Sequence, residues 1–132
     1  MRRFLRRGES GQSLVEFALV LPMLLLVLFA IIDFARLYQG HVTLTNAVRE
    51  GARLGAVGGT SGEVQARVTT TAAGLAPTVS ATVPTTSGQS VVVNATATVQ
   101  LITPVGAMMN FVAHRTMNNN FVLSAGADMR LE

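Results

Sequence analysis

Apolar residues fill one block of this chain, and elsewhere they are spaced periodically among polar ones. From Phe17 to Ile32 sixteen consecutive residues, FALVLPMLLLVLFAII, carry no charge and no strongly polar group; Leu14 and Val15 extend the block upstream past Glu16. About 20 apolar residues at about 1.5 Å each cross a bilayer core, so the block predicts one membrane-spanning helix. Pro22 lies inside it, where a mild kink is expected because neighbouring groups in a membrane helix can satisfy the freed carbonyl. Past Asp33 the helical pattern continues. Phe34, Leu37, His41, Leu44, Val48, Ala52 and Gly55 recur on one side, and Arg36, Gln39, Thr43, Asn46, Glu50 and Arg53 on the other. Steps of three and four mark one buried and one wet helix face. The prediction is a single helix from about Ser13 to about Val57, half in lipid and half projecting, ended by Gly58-Gly59.

Thr60 followed by Glu63 reads as a capping box. It opens a short helix with Val64, Val68 and Leu75 on one face, weakened by three successive Thr at 69–71. Beyond it the period falls to two. Val79–Val83 predicts a strand, and Pro84–Ser90 a turn-rich link. Val91–Ile102 alternates Val91, Val93, Ala95, Ala97, Val99 and Leu101 against Val92, Asn94, Thr96, Thr98, Gln100 and Ile102. Val105–Ala113 reads as a short helical or loop crossing and Asn118–Asn120 as a turn. Phe121–Arg130 then alternates with Phe121, Leu123, Ala125, Ala127 and Met129 on one face. Strands joined without long crossovers pair antiparallel. The fold class is therefore α+β: a long N-terminal helix, transmembrane in its first half and amphipathic in its second, followed by a small antiparallel sheet. Three parts are expected: an Arg-rich leader over 1–11, the helix over 12–57, and a small extracytoplasmic domain over 58–132.

Charge settles the orientation this pattern implies. The net charge is +3, but Arg2, Arg3, Arg6 and Arg7 stand before the apolar block, and Asp33–Glu132 is nearly neutral with six Arg against five acids. The positive-inside rule places the first residues in the cytoplasm, with the later domain outside an inner membrane. A sequence pI near 11.1 would suit nucleic acid, yet no basic stripe interleaved with aromatics is present to follow a phosphate backbone. A cleaved secretory signal shares the basic start. The apolar block is long for one, however, and no A-x-A site follows it. The chain has no cysteine, which excludes a disulfide framework, a thiol nucleophile and thiolate metal sites. His41 and His114 lack companions for a metal site. The run Gly58-Gly59-Thr60-Ser61-Gly62 lacks the Lys and preceding strand of a phosphate loop. No cofactor, metal, catalytic constellation or small-molecule substrate is expected, and the chain reads as structural, not enzymatic.

At the head of the block stands Gly11-Gln12-Ser13-Leu14-Val15-Glu16-Phe17. Gly permits the extended backbone a peptidase at the membrane face can thread. Cutting after Gly11 would free a cationic amine on Gln12. Glu16, one turn deeper at the lipid edge, would be the carboxylate that this amine, or a neighbour's, neutralises.

The segment Gly11–Glu16-Phe17 resembles the cleavage site of type IV pilins and pseudopilins. The longer run GQSLVEFALVLPMLLLVLFAIIDFARLYQG resembles the TadE-like family of Tad (Flp) pilus assembly. Asn46-Ala47-Val48-Arg49-Glu50-Gly51-Ala52-Arg53 is similar to the continuation of that family's helix, and Ser124–Glu132 to its terminal strand. Phe17 departs from the Tyr that such sites often carry. The resemblance implies a minor pilin or pseudopilin, cut by a prepilin peptidase between Gly11 and Gln12, with Glu16 and Phe17 completing the processing site. It implies partners in the membrane, the peptidase and related pilin-like subunits. Pro22, Asp33, Arg36, Arg49, Glu50, Gly51 and Arg53 are the candidates for packing against those subunits. Asp33 with Arg36, and Glu50 with Arg53, are spaced to pair along the helix. The alternative is a signal-anchored extracytoplasmic binding module that is never processed.

Overall fold

The computed structural model describes residues 9–86, 88–104 and 120–130. Most of the leader lies outside the described residues, as do the expected 105–113 crossing, His114 and the first two Asn of the expected turn. The elements are α1 (Glu9–Ala56), α2 (Ser61–Thr71), a 3-10 turn (Ala73–Leu75), β1 (Thr78–Thr82), β2 (Ser90–Gln100) and β3 (Asn120–Arg130). The three strands form one antiparallel sheet in the order β1-β2-β3. Val93 faces Ala81 on one side and Ala127 on the other.

α1 is a single helix of 48 residues that runs through Pro22. It stops where the sequence demands. Gly58 takes φ +93, a conformation that side-chain-bearing residues adopt at a cost. There the Gly59 amide donates to the Leu54 carbonyl at 3.1 Å and the Gly58 amide to Gly55 at 3.2 Å. This paired closure satisfies carbonyls that the helix end would otherwise leave open.

The packed half of α1 lies along the sheet, antiparallel to β2. A Cβ built on Gly55 would meet Val91 Cγ1 at 2.7 Å, and one built on Gly40 would meet Leu123 Cδ1 at 3.0 Å and Val99 Cγ2 at 3.4 Å. Glycine is what allows this approach. α2 joins α1 on the same side of the sheet, and the core between them holds Leu44, Ala47, Val48, Ala52, Val64, Val68, Ala72, Val91, Val93, Ala95 and Ala97. The opposite side of β2 (Val92, Asn94, Thr96, Thr98, Gln100) is exposed.

Five expectations shift. The buried stripe of α1 runs Asp33, Gly40, Leu44, Ala47, Val48, Gly51, Ala52 and Gly55, while Phe34 and His41 face outward. Hydrophobicity misplaces it because the stripe starts on a carboxylate and descends on glycines. β2 ends at Gln100 instead of Ile102, because the Ile102 amide leaves the ladder and donates to Asp33 Oδ1 at 3.4 Å. Leu75 belongs to the 3-10 turn and only edges the core. Phe121, opposite Val99, stays exposed, since α1 offers Gly40 at that level. Asn120, expected in a turn, is the first residue of β3.

The capping box is formed. Glu63 N–H donates to Thr60 Oγ1 at 3.4 Å, and Thr60 N–H donates to Glu63 Oε2 at 2.8 Å. Thr69 and Thr70 turn their hydroxyls back onto Gln65 and Ala66 carbonyls, at 2.8 Å each, so the Thr run is carried within the helix. The Thr60 backbone amide first, and its hydroxyl second, hold the Glu63 carboxyl below its ordinary value of 4.5. A carboxyl lowered by folding contributes stability above its unfolded value, and that contribution is lost as pH falls through the lowered folded value. Thr60→Ala is expected to lower domain stability by about 1 kcal/mol at neutral pH. Glu63→Gln should cost stability at neutral pH and little well below pH 4.5. Urea midpoints at the two pH values check this; equal losses for Glu63→Gln at both would contradict the assignment.

Candidate functional site

Among the described residues, none packs over the first half of α1. Residues 11–20 are all exposed, including Leu14 at 70% and Leu19 at 75%, and Met23 further along is exposed at 72%. Its most apolar window has a mean hydropathy of 2.8 and none of it is buried. Shedding this much apolar surface from water is worth about 25 cal/mol per Å², and no described residue supplies the cover. From Leu14 to Ile32 the helix rises roughly 28 Å, close to the thickness of a hydrocarbon core. It is one helix near the N-terminus that is long and apolar enough to cross a membrane.

At its head, Gly11 and Gln12 are helical and not extended as expected. Each residue added to a helix brings a hydrogen bond. One Gly costs only about 1 kcal/mol, too little to halt it. The Gly11–Gln12 peptide nonetheless sits in the first turn, where the leading amides have no intrahelical carbonyl to bond, so unwinding there breaks few bonds. A Cβ on Gly11 would meet nothing within 4 Å. Gln12 Nε2 donates to Glu16 Oε1 at 3.2 Å across one turn, so the residue on which a cut would create an amine already faces the carboxylate.

The packing candidates divide. Pro22, Arg36, Arg49 and Arg53 are exposed. Asp33 is only 5% exposed; its carboxylate accepts from the Ile102 amide and from the Thr103 hydroxyl, not from Arg36. Glu50 pairs with Arg67 of α2 at 2.9 Å rather than with Arg53, a surface pair worth well under about 1 kcal/mol. Gly51 does permit close helix approach, but to α2 of the same chain: its Cβ would lie 2.4 Å from Val68 Cγ2. The reason is common to all three. The domain after residue 58 has too little apolar surface to close a core alone, and it draws the inner face of α1 into its own packing. Arg67, Ile102 and Thr103 were not foreseen; no periodicity in the sequence ties residues so far apart in the chain.

The surface clefts are open. One of about 410 Å³ is lined by Arg36, Gln39, Thr43, Leu75 and Val99, and another of about 340 Å³ by Glu50, Arg53, Leu54 and Arg67. Among the described residues, no three His, Cys, Asp or Glu side chains are grouped as metal ligands would be.

Residues 11–53 match the family described as TadE-like protein. No curated protein and no solved structure matches the chain. The matched residues begin at the Gly of the N-terminal motif, cover the exposed apolar half of α1 and continue through most of its packed half. Over that span, and in keeping with the motifs that first suggested it, the chain is similar to TadE-like proteins.

Proposed function

We propose that the chain is a minor pilin or pseudopilin, a membrane-anchored structural subunit in assembly of a Tad (Flp, type IV-like) pilus, cut after Gly11 by a prepilin peptidase. The TadE-like family is a structural, pilus-associated one. The observation that carries the reading is the division of α1 into a bare apolar half and a half built into the domain core. Such a subunit can be held in a membrane, or in a bundle of like helices, while showing a folded head outside it. In this reading the Arg-rich leader stays in the cytoplasm until removed, and the head is extracytoplasmic. No chemistry on a substrate is assigned to it.

The cut leaves Gln12 as the first residue. Its new ammonium lies on the same turn as Glu16, and an intramembrane carboxylate is retained at modest cost when a cation partners it. In the intact chain the neutral Gln12 amide occupies that place. The exposed cations Arg36, Arg49 and Arg53, with Pro22 in the span, remain the contacts to related subunits.

The test is the N-terminus of the membrane-bound protein, read by mass spectrometry with and without the cognate peptidase. A peptidase-dependent start at Gln12, abolished by Gly11→Ala, is the expected result. An intact Met1 under both conditions would remove processing from the mechanism and leave a static anchor carrying a binding module.

A further inference from the structure

Where the span ends, the structure makes a contact that neither the family resemblance nor processing requires. Asp33 follows Ile32, the last residue of the apolar block, and is buried in a helix whose preceding residues Ile31 and Ile32 are bare. Its carboxylate is taken up by the turn leaving β2. The Ile102 amide donates to Oδ1 at 3.4 Å, and the Thr103 hydroxyl donates to Oδ2. These bonds fix the foot of the sheet at the level where α1 leaves the membrane. A backbone amide 3.4 Å from the Asp33 carboxylate cannot stand far above the boundary that Asp33 marks.

Ile102 is 62% exposed at that level. In water this would be an unexplained exposed isoleucine just past the end of β2. It is not alone: Phe34 and Tyr38, within the next two turns of α1, are 69% and 63% exposed. Asp33 lies at the base of this group and Arg36 is exposed beside it. Amphipathic aromatics, and Arg with its apolar stem, concentrate in the interfacial layer flanking a hydrocarbon core. That layer is about 5–8 Å deep on each side; Asp33 to Tyr38 spans roughly 8 Å along the helix.

We infer that the foot of the sheet is a second membrane contact: Ile102, with Phe34 and Tyr38 of α1, sits in the interfacial layer of the leaflet from which α1 emerges, and Asp33 holds it there. The occupant is phospholipid, because the patch continues directly from the lipid-facing surface of the span. The head is thus seated on the bilayer and does not swing free above it. This rests on the membrane-spanning reading of α1.

The chain has no cysteine, so single nitroxide labels can be placed without background. Ile102→Cys, Tyr38→Cys, Leu24→Cys and Thr96→Cys would each be labelled in the full-length protein in phosphatidylglycerol/phosphatidylethanolamine vesicles. Collisions with oxygen, which favours lipid, would be compared with collisions with a water-soluble nickel chelate. Ile102 and Tyr38 are expected to favour oxygen over nickel several-fold relative to Thr96, and Leu24 more strongly still. In the Ile102→Cys background, Asp33→Ala should raise nickel access towards the Thr96 level, and Asp33→Asn, which keeps an acceptor, should raise it less. Nickel access at Ile102 equal to that at Thr96, with Leu24 in lipid, would overturn the seating while leaving the span intact. Protection of Ile102 from both reagents would overturn it in favour of a protein partner. Nickel access at Leu24 would instead sink the membrane reading itself.

Discussion

Leu44→Ala is expected to cost the head about 2–5 kcal/mol, a large fraction of the ~5–15 kcal/mol that holds a small domain together. Leu44 is fully buried and is the largest aliphatic side chain that α1 puts into the core. Its buried neighbours on the helix are Gly40, Ala47, Val48 and Gly51, which are too short to refill the space. Truncation therefore removes transfer free energy and leaves a cavity that cannot collapse. The natural comparison is Leu24→Ala, the same change at a residue 52% exposed in the apolar half, which should leave the head unchanged. Hydrogen exchange of the β2 amides in the detergent-solubilised full chain reads the difference, because those amides sit over the core and not in the span. A loss below 1 kcal/mol at Leu44 would mean that the core closes around something other than α1.

Gly51→Leu should be comparably damaging for the opposite reason. The Cβ alone would lie 2.4 Å from Val68 Cγ2 and 3.4 Å from Val64 Cγ1, so α2 must move off α1 or the helix must bend. Overpacking of this kind costs about 1–3 kcal/mol, and a full Leu belongs at or above the upper end. Gly62→Ala in α2, where a Cβ meets nothing within 4 Å, should instead stabilise by about 0.5–1 kcal/mol, since Ala restricts the unfolded chain and suits a helix. The contact can be isolated in a cycle. Val68→Ala removes the methyl groups that clash, so Gly51→Ala should be less harmful in that background than in the native one. Simple addition of the two penalties in urea titrations would show that Gly51 and Val68 do not touch.

What the sequence reveals and what it conceals follow from range. The apolar block, the glycine stop, the capping box and the two long alternating strands are each written in a contiguous run, where period, cap and breaker act locally. They appear in the structure within a few residues of the expected bounds. The Gly11–Glu16 motif is likewise a local spacing, and of it the structure adds the contact of Gln12 with Glu16 one turn on. The packing candidates were not. Glu50 with Arg67, Gly51 with Val68, and Asp33 with Ile102 join residues 17 to 69 positions apart, and in each case a nearer, helix-local role looked sufficient. Asp33 is the instructive one. A carboxylate at a membrane exit suggests solvent or a neighbouring Arg, and only the arrival of the β2 turn reveals that it is buried and bonded.

Because α1 is both the anchor and one wall of the core, there is no joint between shaft and head. The helix lies antiparallel to β2, with its contacts strung from Asp33 at the foot to Gly55 beside Val91 near the far end. A tension applied along the span therefore loads these contacts side by side, in shear, and they must give together. Had the head hung from the tip of the helix, the same pull would have peeled them off singly. In the proposed pilus subunit, drawn through a growing or retracting assembly, this geometry would let the apolar half of α1 act as a handle that transmits force to the head without unzipping it.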